Sequence, residues 1–128
     1  MFPQLLEFSD QGLFLLRLAV GLIFIYHALP KIKNAKTLAP MMGFPGGMAG
    51  VLILGLAEFL SGAGLILGVF TQLAALILAI IMLGALYMKK TKWRVSFTAQ
   101  DKMGWEFDLI LLAANLAILL SGGGSVGI

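Results

Sequence analysis

Four long apolar runs take up most of this chain, and they decide what it can fold into. The first extends from about Gly12 to Leu29, the second from about Met48 to Phe70, the third from Leu73 to Met88 and the fourth from near Trp105 to Leu120. The third carries no formal charge. None alternates with period two, which sets aside lipid-facing barrel strands and leaves helices. A bilayer-spanning helix needs about 20 mostly apolar residues, so four would use roughly 80 and leave about 48 for loops and tails. Composition agrees. The 128 residues are 60% hydrophobic and 12% charged, with a mean hydropathy of +1.01, against about 45–50% and about 25% in soluble domains. So little charge cannot keep so small a globule soluble, and the surplus apolar surface is expected to face lipid. The expected fold is an all-α integral membrane protein, a single four-transmembrane-helix bundle over residues 1–128, with spans at about 12–29, 48–70, 73–88 and 105–120. An independent catalytic domain is excluded, and so is a nucleic-acid binder, despite a pI near 9.5.

Charge placement orients the bundle. Lys31, Lys33 and Lys36 follow the first run; Lys89, Lys90, Lys92, Arg94 and Lys102 follow the third, with Asp101 as the one acid among them. The connection Gly68–Gln72 and the tail Ser121–Ile128 are uncharged, and Glu7 and Asp10 lie near the start. Eight of the nine basic residues therefore share one side, which the positive-inside rule makes cytoplasmic. Both N and C termini are expected outside, in a multi-pass protein of the cytoplasmic membrane. Tyr26, Tyr87, Trp93 and Trp105 sit near the cytoplasmic ends, where amphipathic rings favour the interface. The first run is long enough to remain as a span, and its acidic lead is not that of a cleavable signal peptide. Small-residue steps at Gly64–Gly68, Ala57–Ser61 and Ala75–Ala79 let helix backbones approach, within the bundle or in a homo-oligomer.

The costly residues are the ionisable ones inside these runs. A charged side chain at the centre of a membrane helix costs about 2.5–3.5 kcal/mol on insertion scales. At a rise of about 1.5 Å per residue, Arg17 lies roughly 8 Å from the outer end of its run, Glu58 roughly 18 Å from the outer end of its own, and Asn115 roughly 15 Å from the cytoplasmic end of the fourth. One layer is thus expected to hold Arg17, Glu58 and Asn115. A second, at the cytoplasmic rim, holds His27 and Lys31, one helical turn apart on one face, with Glu106 and Asp108 at the start of the fourth run. Each has two readings. Arg17 and Glu58 read as an ion pair that fixes helix neighbours or as a ligand site, and Asn115 as interhelical glue. Glu106 and Asp108 read as solvated rim charges or as site residues, and His27 as an interfacial hydrogen-bonding group or a ligand contact.

The two layers suit a neutral, lipid-soluble molecule with carbonyl oxygens, of which a quinone is one case. Arg17 could donate to an oxygen, His27 is the natural proton exchanger, and Glu58 and Glu106 could carry protons. Without cysteine, the chain holds no disulfide, thiolate metal site or iron–sulfur ligand of its own. No metal site and no covalently bound cofactor is expected, and electrons must pass through a bound small molecule or a partner.

The residues Arg17-Leu18, Gly21, Tyr26-His27 and Lys31, then Glu58 with Gly68-Val69-Phe70-Thr71, then Gly104-Trp105-Glu106, resemble in order and spacing the motifs of the DoxX family over nearly the whole chain. That family includes the small membrane subunit of thiosulfate:quinone oxidoreductase. Departures are Gln72 where Arg is usual, Ala28 where Gly is typical, Pro30 before Lys31, and Gly122-Gly123-Gly124-Ser125-Val126 in place of a Gly-Pro-Gly ending. The resemblance implies a four-helix membrane bundle with redox-linked work beside a partner protein. The expected function is a non-autonomous membrane subunit of a quinone-linked oxidoreductase, with Arg17, Glu58, His27, Lys31 and Asn115 about the ligand and His27 and Glu106 exchanging protons. Two alternatives stand beside it: a non-catalytic scaffold or assembly chaperone that recruits a client, and a small-solute transporter. The transporter reading lacks the paired Gly/Pro-interrupted helices common in such folds.

Overall fold

The computed structural model describes residues 1–43, 46–98 and 104–127, and every regular element among them is helical. A 3₁₀ turn, Pro3–Phe8, leads into α1 (Ser9–Lys33); α2 (Ala35–Met42), α3 (Gly47–Leu67), α4 (Thr71–Tyr87) and α5 (Trp105–Ser121) follow, and α4 continues into a π-helical turn, Met88–Lys92. Three helical segments are long and apolar enough to cross a membrane: Pro3–Lys33, Gly47–Leu67 and Thr71–Lys92. The chain is therefore a multi-pass membrane protein. With 17 residues, α5 is about 25 Å long, just short of the roughly 30 Å hydrocarbon core.

The first helix outruns its expected span at both ends, and the segment expected to be a basic loop is largely helical. Pro30 sits in the last turn of α1, and Asn34 interrupts the helix, its N–H bonding to the Pro30 carbonyl at 2.7 Å. Gly43 then ends α2 with φ +59°. Asp101 and Lys102, counted in the second basic loop, lie outside the described residues.

Packing follows the rule for lipid rather than for water. Large aliphatic side chains such as Leu15, Ile53, Leu60 and Leu120 point outward, the last of them 85% exposed. Charged and amide groups point inward: Arg17, Glu58, Asp108 and Asn115 are all buried. Between them lies a core of Val20, Phe24, Leu65, Leu78, Leu111 and Ile118, with Ala74 and Ala75. A smaller cluster, Ala35, Ala39 and Val51, seats α2 on the start of α3. In order of contact, α1 lies along α3, α4 along α5, and α3 joins the two pairs through α4.

Because lipid tails are as apolar as leucine, helices must gain their association from close packing. Here α1 and α3 touch backbone to backbone. A Cβ on Gly21 would lie 2.6 Å from the Gly62 carbonyl oxygen, and one on Gly62 would lie 2.8 Å from that of Gly21. A turn or two away, a Cβ on Gly55 would lie 2.8 Å from the Lys31 Cβ and 3.3 Å from the Ala28 carbonyl oxygen. Of the small-residue steps expected from sequence, Ser61, Gly64, Ala75 and Ala79 pack within the bundle. Gly64 meets Ala74 of α4, whereas Gly68 ends α3 with φ +78°. Ala75 and Ala79 are buried within α4.

Gly62→Ala must push two backbones apart, and overpacking of this kind costs about 1–3 kcal/mol. A Cβ at Gly84 meets nothing within 4 Å. Thermal unfolding in detergent should therefore show a clear loss of Tm for Gly62→Ala and none for Gly84→Ala.

Candidate functional site

The glycine contacts set the register of α1 against α3, and the register brings the first pair of charges together. Gly21 opposite Gly62 and Lys31 opposite Gly55 put Glu58 level with the α1 turn near residues 25–28. A helical side chain leans toward the N-terminus of its own helix. Lys31 therefore reaches back about a turn, and its Nζ lies 2.5 Å from Glu58 Oε1. Glu58 is almost wholly shielded, while the lysine side chain keeps 20% exposure. Buried carboxylates persist only when paired or hydrogen-bonded, and this one is both.

The second pair comes from α4 and α5. In the π turn, the Trp93 N–H bonds to the Met88 carbonyl, five residues back, at 2.7 Å. The wider turn separates the paths of its neighbouring lysines. Lys89 points inward, with Nζ 2.8 Å from Asp108 Oδ2 and 5.9 Å from the centre of the Phe107 ring. Lys90 lies over Trp105, 4.8 Å from its ring centre. The Lys89–Asp108 contact is an ion pair rather than an aligned hydrogen bond, so the buried Oδ2 keeps accepting capacity. From sequence, Asp108 reads as a solvated rim charge or a site residue, and Lys89 only as one of the basic residues that orient the bundle. A signal for Asp108 existed, since Asp108, Leu111, Asn115 and Ile118 recur at helical spacing and form the buried stripe of α5. Nothing in the sequence marked Lys89 apart from its neighbours.

Between the two pairs lies a cavity of about 660 Å³. His27, Lys31, Glu58, Lys89 and Asp108 line it with mostly apolar residues from α1, α3, α4 and α5, among them Phe24, Leu54, Met82 and Phe107. The His27 ring lies 5.5 Å from that of Phe107, centre to centre. Two side chain–backbone bonds close the basic end, joining the π turn to the end of α2. Lys92 Nζ donates to the Gly43 carbonyl at 2.6 Å, and Trp93 Nε1 donates to that of Met42 at 3.2 Å. Met42 and Trp93 both face the cavity.

Three of the expected site residues stand elsewhere. Glu58 has Lys31 as its partner in place of Arg17, which lies fourteen residues earlier on α1 and so about 21 Å from Lys31 along the axis. Arg17 leans toward the N-terminus of α1, as Lys31 does, and that direction leads away from Glu58. Its Nη2 donates to the Val126 carbonyl, with its guanidinium carbon 5.4 Å from the Phe14 ring centre. Around it the tail folds over the bundle end: Ser125 Oγ donates to Asp10 Oδ2 at 2.6 Å, and Gln72 Nε2 donates to the Leu119 carbonyl at 2.9 Å. Arg17 is thus a latch for the segment after α5. Asn115 is wholly buried and donates to its own helix, to the Leu111 carbonyl at 2.8 Å, outside the cavity lining. Glu106 is exposed and accepts from Thr98 Oγ1 at 3.0 Å, also outside the lining. It is Asp108, two residues on, that turns inward.

Comparison with known proteins returns one family model, that of DoxX, which matches residues 12–91. The matched stretch contains Arg17, His27, Lys31, Glu58 and Lys89, whereas Asp108 and the Gly104-Trp105-Glu106 motif lie beyond it. A Bacillus subtilis (strain 168) protein described as "Putative oxidoreductase CatD" is 27% identical over 114 residues, covering 87% of this chain and 79% of that one. No solved structure matches the chain significantly.

Removing one member of a buried pair leaves an uncompensated charge, at a cost of about 3–5 kcal/mol. Lys31→Met should lower stability by that order, and Lys31→Met with Glu58→Gln should recover much of it; unfolding in detergent across the double-mutant cycle measures both. Arg17→Leu should leave the cavity intact but free the tail. Losing a charged hydrogen bond of about 1.5–3 kcal/mol should speed amide exchange at 123–127 by roughly tenfold or more, as read by hydrogen-exchange mass spectrometry.

Proposed function

The chain belongs to the DoxX family, and from that premise we propose that it is the membrane subunit of a quinone-linked oxidoreductase system, of the kind that includes thiosulfate:quinone oxidoreductase. The observation that supports this reading is the cavity: an apolar chamber of about 660 Å³ with His27 and two buried ion pairs on its wall. Its volume falls in the usual range for ligand sites, about 300–1,000 Å³. The relative from Bacillus subtilis carries an oxidoreductase description, and the same class is proposed here.

The donor set fits a flat, neutral molecule with two carbonyl oxygens. Lys31 and Lys89 would hold those oxygens from two sides, each positioned by its own carboxylate. A bound quinone supplies two-electron, two-proton chemistry; the chain supplies position and protons. His27, whose imidazole can both donate and accept a proton, lines the cavity with both pairs. Asp108 Oδ2, buried without an aligned donor, would accept from a hydroxyl. The apolar walls exclude water, which strengthens every polar contact inside. Electrons would come from a partner protein, since the chain has no cysteine to hold a cluster.

Four crossings with both termini outside complete the proposal. α5 carries Leu, Ile and Ala on its outer faces, and its 17 residues are at the short end of the spanning range, about 17–25. Lys33, Lys36, Lys90, Lys92 and Arg94 gather at the end where α1 and α4 finish; by the positive-inside rule that end would face the cytoplasm, in the cytoplasmic membrane. A redox partner would dock on this basic face or on the opposite, outer one.

Protein purified in mild detergent from native membranes should carry stoichiometric extractable quinone. Glu58→Gln should lower that content by roughly tenfold, the loss of about one strong polar contact. Gly84→Phe, which fills the cavity from a position where a Cβ meets nothing, should do the same while the fold stays intact. Quinone-free wild-type protein would sink this reading and favour the non-catalytic scaffold, whose sign is a client protein that purifies with the chain.

A further inference from the structure

A second depression lies on the lipid side of the bundle, and it joins the cavity. It is a groove of about 320 Å³ between α3 and α4, and its lining is wholly apolar: Gly50, Ile53, Leu54, Ala57, Ile77, Ile80 and Ile81. Leu54, Ile80 and Ile81 line the cavity as well. These three aliphatic side chains thus stand between the chamber with charged walls and the groove. Ile53 and Ile80 are exposed on the groove's lipid side.

The helix geometry explains the opening. Near their shared turn α3 and α4 pack closely, since a Cβ on Gly64 would lie 3.6 Å from that of Ala74. Two turns farther along α3, at Ala57, and one turn farther along α4, at Ile77, the helices border open space instead. We infer that the ligand enters sideways, from the lipid, between α3 and α4, and that its long hydrocarbon tail stays in the groove while its polar head lies between Lys31 and Lys89. Aliphatic partitions of this kind swing by rotamer change without breaking a hydrogen bond, whereas the basic end is shut by the Lys92 and Trp93 bonds to α2. A molecule that reaches charged groups through an unbroken apolar path must carry little charge and a long apolar part. An isoprenoid tail and a phospholipid acyl chain share that chemistry; the identity of the head rests on the quinone reading above, while the tail groove does not.

The chain supplies its own reporter. Trp93 faces the cavity, while Trp105 packs on Phe97 with ring centres 4.5 Å apart, and these are the two tryptophans of the chain. In nanodiscs holding Trp105→Phe protein, benzoquinones quench Trp93 and report binding. A benzoquinone with a decyl tail should bind roughly tenfold more tightly than the same head without one. Ala57→Phe and Ile77→Phe, which fill the groove from opposite walls, should each abolish that advantage and leave the tail-less affinity unchanged. That unchanged affinity also shows that the variant is folded. An advantage that survives both substitutions overturns the groove and leaves the quinone reading standing. If neither quinone quenches, delipidated protein is reconstituted in phosphatidylethanolamine–phosphatidylglycerol vesicles and its retained lipid weighed by mass spectrometry. Phospholipid held by the wild type and lost from Ala57→Phe supports the groove and overturns the quinone. Retention of neither, or a change in oligomeric mass on Ala57→Phe that marks the face as a contact between copies, overturns the groove as a tail site.

Discussion

The contact of Gly21 with Gly62 is the constraint on which the rest of the structure depends. With no side chain on either residue, two helix backbones meet, and that single point sets both the distance and the register of α1 and α3. Everything polar on α1 inherits its neighbours from it. Lys31 meets Glu58 because the register and the backward lean of the lysine agree, and the cavity exists because that pair stands at one side of it. A larger residue at position 62 would weaken packing and would also slide a buried charge away from its counter-ion. In a bilayer, where apolar surface offers no preference among neighbours, a wrong register is penalised chiefly by such unmatched charges.

Much of the architecture was legible in the sequence, because the bilayer leaves a helix few options. The apolar runs located three of the long helices, and the basic residues marked the end where α1 and α4 finish. The identity of the ion pairs was not legible. Depth estimates put Arg17 and Glu58 in one layer, but depth gives no rotation and ignores the direction in which a side chain leans. Both Arg17 and Lys31 lean toward the start of α1, and for Arg17 that leads outward to the tail. Asp108 shows the other weakness: in the first turn of a helix, a charge inside the bundle and a charge in solvent differ by about 100° of rotation. The stripe it shares with Leu111 and Asn115 carried that information, one and two turns farther along.

The two ends of the molecule use their charges differently. At the basic end, cations meet carboxylates, and the pairs border space that a ligand can occupy. At the other end, Arg17 meets a backbone carbonyl in a glycine-rich segment packed against it, with Gly68 and Gly123 close enough that added side chains would strike the guanidinium arm. The first arrangement is suited to exchange of a bound molecule, and the second to holding chain against chain. A buried ionisable residue in a membrane helix is a functional candidate by default; the surroundings separate these two.

The pairing of the cavity's charges has one more consequence. Two lysines face two carboxylates across the chamber, so its cationic and anionic side chains are equal in number. A neutral molecule can therefore enter without leaving any ion in the low-dielectric interior unbalanced. An anion would bring a charge for which the wall holds no unmatched partner. The chamber is thus an electroneutral compartment, in which each charge on the wall already has its counter-charge beside it.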